Sequence, residues 1–180
     1  MRIPGLKRVF VTDEELQKRV SELGKQIEKD YAGKHPVLVS ILKGSFYFLS
    51  DLTRKIDIPL NIDFMAIGVY PGSQNHTGVV RISKDLDINI AGRHVLIVED
   101  IINTGLTLGY LVQQMEARKP VSIKICTLLD NPALRLVDIP VAYTGFNMPD
   151  IYLAGYGLDI NEEFRHLPCI VEVDETVKSF

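Results

Sequence analysis

At 180 residues, with 46% hydrophobic and 24% charged residues, the chain has the composition of one globular domain, 1–180, large enough to bury its own core. A formal net charge of −3 gives no reason to expect nucleic-acid binding, and the two cysteines, Cys126 and Cys169, argue against a disulfide framework or a metal cluster. The N-terminus shows no secretory leader and no apolar run approaches membrane-spanning length, so a reducing cytoplasm is the expected setting.

Residues 1–11 read as a short lead-in. Thr12 and Glu15 stand three apart, the spacing of a capping box, at the head of a helix. Leu16, Val20, Leu23 and Ile27 then recur at helical spacing and give it one apolar face, closed by Ala32-Gly33-Lys34. Val37 to Leu42 is a short apolar run that suits a buried strand. Lys43-Gly44-Ser45 follows it and leads into an apolar helix, Phe46 to Ile56. A lysine and a glycine at the end of a strand suit a phosphate contact, although a plain surface lysine satisfies the same pattern.

Asn61 to Tyr70 and Val79 to Ser83 read as paired strands. The polar, small-residue link between them, Pro71 to Thr77, is either a hairpin tip or a lid over a site. Lys84-Asp85-Leu86-Asp87 reads as a charged turn leading back through Ala91-Gly92.

The stretch from Val95 to Leu108 is the most informative in the chain. Val95-Leu96-Ile97-Val98 suits a strand covered on both faces, and Glu99 and Asp100 follow where it is expected to end. Asn103-Thr104-Gly105 is a small polar turn, and a helix is expected from Leu106 to Lys119. Amides of such a turn and of the first helical turn have no intrahelical partners and can surround a phosphate. Thr104 and Thr107 add hydroxyls, while the carboxylates suit ribose hydroxyls or a magnesium ion. An ordinary strand-to-helix loop with two solvated acids fits the composition equally.

Beyond this helix, Val121 to Leu129 reads as a strand with Asp130-Asn131-Pro132 at its end. Val141 to Phe146, Ile151 to Tyr156 and Cys169 to Val173 are further strand-like runs. Tyr152 reads as a core aromatic, and Asp159 with Arg165 as a surface ion pair.

Val95 to Leu108 as a whole resembles the phosphoribosyl-pyrophosphate motif of purine phosphoribosyltransferases, in the form found in the hypoxanthine-guanine group, and the likeness runs along nearly the whole chain. It implies an α/β fold, a mostly parallel twisted sheet flanked by helices, with a small hood formed by the chain termini and a flexible lid hairpin at about residues 68–82. It places the sugar phosphate on Asn103, Thr104, Gly105, Leu106 and Thr107. The pyrophosphate falls to Lys43, Gly44 and Arg165, with a cis peptide before the lysine. Magnesium falls to Glu99, Asp100 and Asp159. The purine lies against Tyr152, Leu153 and the positions of Asn131 and Asp159, and Tyr70 belongs to the closing lid. The implied partners are phosphoribosyl pyrophosphate, a purine base and a nucleoside monophosphate, with no nucleic acid and no membrane, in a homo-oligomer (dimer or tetramer).

Three positions depart from the family pattern: Val69 stands for serine, Asn131 for lysine, and Asn103 for the third aspartate of the motif. That aspartate is assigned a proton relay near N7 of the purine, and an asparagine amide takes up no proton at working pH. A tolerant natural enzyme, an engineered substrate trap and a paralogue that binds nucleotide with weakened catalysis all fit Asn103. Asn131 and Val69 favour natural divergence, and Asn131 also admits a phosphoribosyltransferase of altered base specificity.

Overall fold

A computed structural model describes residues 5–68 and 81–174. Its centre is a six-stranded sheet in the order β4-β3-β2-β5-β6-β7. The strands are β2 (Val37–Leu42), β3 (Asn61–Gly68), β4 (Arg81–Lys84), β5 (His94–Ile102), β6 (Ser122–Asp130) and β7 (Val141–Asn147). All pairings are parallel except that of β4 with β3.

Alternation along the central strands explains why both faces are covered. Val37, Val39, Val95 and Ile97 point into one core with Leu108, Leu111, Val112 and Met115 of α3 (Leu106–Glu116). Leu38, Leu96 and Val98 point into the opposite core, against α1 (Asp13–Asp30) and α2 (Phe46–Thr53). Helix α1 forms where its cap and its stripe predict. The Thr12 side chain accepts from Glu15 N at 3.3 Å, and the Glu15 carboxylate accepts from Thr12 N at 2.9 Å. Leu16, Val20, Leu23 and Ile27 are buried on its inner face. Burying one such side chain is worth roughly 1.5–3 kcal/mol, so this stripe outweighs the helix's weak local preferences.

Two expectations fall here. Part of the presumed lead-in is a strand, β1 (Leu6–Val11), paired antiparallel with β9 (Ile170–Val173). The run from Ile151 to Tyr156 supplies only a two-residue strand, β8 (Leu153–Ala154), which completes a separate sheet in the order β1-β9-β8. Exposure explains the first miss: Leu6 and Val9 remain about half accessible, so β1 lacks a clean apolar face. Helix α3 also stops short of Lys119, which adopts φ 58°. Val69, Tyr70 and most of the expected lid lie outside the described residues.

Candidate active site

The loop after β5 is built around Gly105, whose φ of 77° is a left-handed conformation that glycine adopts without strain. Helix α3 therefore begins on a residue with no capping side chain. Its first backbone bond is Gly109 N to Gly105 O at 2.7 Å, so the amides ahead of Gly109 have no intrahelical acceptor. Leu106 N makes only a long contact, 3.4 Å, to Thr104 Oγ1. The carbonyls of the loop are occupied by the segment after β6: Arg135 Nε donates to Asn103 O at 3.1 Å, and Leu136 N to Thr104 O at 2.9 Å. Arg135 also pairs with the Asp130 carboxylate. Asn103, Leu106 and Thr107 are exposed, Thr104 half-buried and Gly105 buried.

Glu99 and Asp100, where the strand is expected to be ending, lie inside β5, which continues to Ile102. Both are half-buried. Burial pushes the Asp100 carboxyl up to about 6, with Arg165 drawing it back and Asp159 raising it. Burial and the Asp100 charge push Glu99 well above the usual carboxylate range. Asp100 Oδ1 accepts from Ile101 N at 2.8 Å.

The loop after β2 closes against this acid. The Leu42–Lys43 peptide is cis. A Cβ on Gly44 would overlap Asp100 Oδ2, and one on Gly157, where φ is 104°, would overlap Gly44 O. Two loops and strand β5 thus meet at a distance only glycines permit. Ser45 is buried beneath them, its Oγ 2.6 Å from Ser40 Oγ and donating to Ile41 O at 2.6 Å.

Arg165 is fixed from several sides. Its guanidinium donates to Gly157 O at 2.7 Å and pairs with Asp159 at 2.9 Å and Glu162 at 3.3 Å. Lys43 Nζ lies 2.9 Å from the same Glu162 carboxylate. These two cations hold Glu162 below the usual carboxylate range, the hydrogen bond from Lys43 being the largest single cause. Behind the loop, Tyr156 OH donates to Asp51 at 2.7 Å.

The structure thus brings Lys43, Gly44, Asp100, Asp159 and Arg165 into one cluster. The residues expected at the purine are less accessible. Leu153 is buried, Tyr152 half-buried among the core of the small sheet, and the Asn131 side chain fully buried, with neither amide atom hydrogen-bonded. Among the described residues, no three histidine, cysteine or acidic side chains form a set able to hold a metal alone. Glu99, Asp100 and Asp159 therefore do not form a protein-only cage. Sequence reasoning missed Arg135 and Glu162. Both lie in irregular segments outside helices and strands, and neither carries a periodic or spacing signal.

Uncapped helix starts at the carboxyl ends of neighbouring parallel strands handle phosphorylated sugars and nucleotides across α/β proteins. The class is narrower than that: the chain belongs to the phosphoribosyltransferase family, whose phosphoribosyl transferase domain model matches residues 11–163. The chain is 46% identical over 165 residues to the hypoxanthine-guanine phosphoribosyltransferase of Bacillus subtilis strain 168, covering 92% of each chain. The crystal structure of a hypoxanthine phosphoribosyltransferase from Staphylococcus aureus matches with a TM-score of 0.91 at 46% identity, covering 98% of this chain and 96% of that one. A hypoxanthine-guanine phosphoribosyltransferase from Bacillus anthracis matches with a TM-score of 0.89 at 44% identity, covering 94% and 99%.

Proposed function

We propose that the protein transfers the phosphoribosyl group of phosphoribosyl pyrophosphate to N9 of a 6-oxopurine, hypoxanthine or guanine, giving IMP or GMP and pyrophosphate in purine salvage. The observation that carries this reading is the meeting of Lys43, Gly44, Asp100, Asp159 and Arg165 in a chain whose helix α3 starts with amides that have no intrahelical acceptor. Those amides, with Thr104 and Thr107, bind the 5′-phosphate. Glu99 and Asp100 accept from the ribose hydroxyls, and their charge favours the oxocarbenium-like transition state. Lys43 and Arg165 take the pyrophosphate.

The acids also fit magnesium, which takes one or two carboxylates and completes its shell from water and substrate oxygens. The Asp100 charge raises the Glu99 carboxyl and the Asp159 charge raises that of Asp100, repulsions that a cation relieves. When bound, magnesium offsets the charge of the departing diphosphate. The same reading makes the β1-β9-β8 sheet the hood, and expects a cytoplasmic dimer or tetramer, which sedimentation checks.

The test is nucleotide formation from a panel of purines with the donor and magnesium. The expected result is turnover with hypoxanthine or guanine; no turnover with any purine in either direction overturns the reading. Asn131 favours one second reading, an altered base preference. Its uncharged side chain is buried with both polar atoms unpaired, where the family motif has a lysine ammonium. Repeating the panel with Asn131→Lys decides it, because under that reading the preferred base changes.

A further inference from the structure

Lys43 and Arg165 reach the site from different parts of the chain, yet they share one acceptor. Glu162 Oε2 lies 2.9 Å from Lys43 Nζ and 3.3 Å from Arg165 Nη2. Among the described residues, Glu162 is the hydrogen-bond and ion-pair partner of the Lys43 ammonium.

The backbone is arranged to deliver that carboxylate. Asn161, Glu162 and Phe164 all adopt left-handed φ values, 51°, 68° and 68°, which side-chain-bearing residues hold only with strain. Glu162 N donates to Asp159 Oδ2 at 2.9 Å, which ties the turn to the same cluster. The contact itself is open to water: the Lys43 and Glu162 side chains are 67% and 64% accessible. A solvated pair of this kind is weak and easily exchanged for a stronger anion.

We propose that Glu162 is an internal counter-ion of the diphosphate site, a positioning residue whose carboxylate holds Lys43 and Arg165 together until a diphosphate displaces it. This rests on the reading of Lys43 and Arg165 as the diphosphate cations. Two consequences follow from one competition. The donor must displace the carboxylate to bind, and the returning carboxylate helps expel the product. An ordinary surface ion pair predicts neither, and a purely structural role predicts the opposite sign, since loosening the turn would weaken diphosphate binding.

The experiment is calorimetric titration of the full chain with inorganic pyrophosphate and magnesium, for the unaltered protein, Glu162→Gln, Glu162→Ala and Lys43→Ala. Donor KM and product inhibition by pyrophosphate are measured alongside, with thermal melts to confirm folding. Glu162→Gln and Glu162→Ala are expected to bind pyrophosphate about threefold more tightly, the scale of an exposed ion pair. Donor KM should fall and product inhibition strengthen by a similar factor. Lys43→Ala should weaken binding. Unchanged or weaker binding in both Glu162 variants, with Lys43→Ala still weakened, overturns the counter-ion and leaves the site reading intact. Pyrophosphate binding that is absent from the unaltered protein, or unaffected by Lys43→Ala, overturns the site reading and the counter-ion with it.

Discussion

Helix α1 and the loop from Gly155 to Arg165 are specified in opposite ways. The helix is written locally: its cap lies within four residues, its apolar stripe repeats every turn, and its backbone is ordinary. The loop is written by distant partners. Gly155, Tyr156, Gly157, Asn161, Glu162 and Phe164 all adopt positive φ, and the loop reaches Lys43 through Glu162 and Asp51 through the Tyr156 hydroxyl, both more than a hundred residues away. Packing against the sheet makes the helix stable, whereas the loop holds a costly backbone that brings Asp159, Glu162 and Arg165 together. Substitutions in the first region should therefore move stability alone, and those in the second should move function.

The largest expected effect is at Gly157. Gly157→Ala combines left-handed strain with overlap on Gly44 O, at a cost of roughly 2–6 kcal/mol, and it should also raise donor KM. Chemical denaturation with parallel kinetics checks this, and an unchanged donor KM would break the comparison. Leu23→Ala opens a cavity under α1 and should cost roughly 2–5 kcal/mol in the same denaturation experiment, with kcat/KM of the folded protein preserved. Asn103→Asp restores a proton acceptor and should raise kcat by ~10²-fold or more, the low end of general-base effects. An unchanged rate would show that no acceptor is missing at that position. The smallest effect belongs to the helix cap: Thr12→Ala should cost about 1 kcal/mol, read as a shift in denaturation midpoint with no change in the slope.

Legibility followed the same division. The cap, the stripe of α1 and the apolar runs of β2, β5 and β6 could be read directly: the cap from its spacing, the stripe from its helical period, and the runs because both faces of a parallel sheet are covered. Strand β1 could not: its outer positions are exposed and its partner, β9, lies at the other end of the chain. Acids rarely sit inside a buried strand, so the pattern sets the strand's end at Glu99 and Asp100; β5 runs on to Ile102, and burial pushes both carboxyls up. Resemblance, not periodicity, singled out Lys43, Asp159 and Arg165. Arg135 and Glu162 escaped both, since their importance lies in what they touch.

The grip of Arg135 and Leu136 on the carbonyls of Asn103 and Thr104 has a practical consequence. On the proposed assignment of Asn131 to the base and of residues 103–107 to the sugar's phosphate, the two sites are mechanically joined through one short segment after β6. Grafting residues 131–136 from a relative to change which purine is taken would retune the phosphate cradle as well, so any such exchange should be judged on donor affinity alongside base preference.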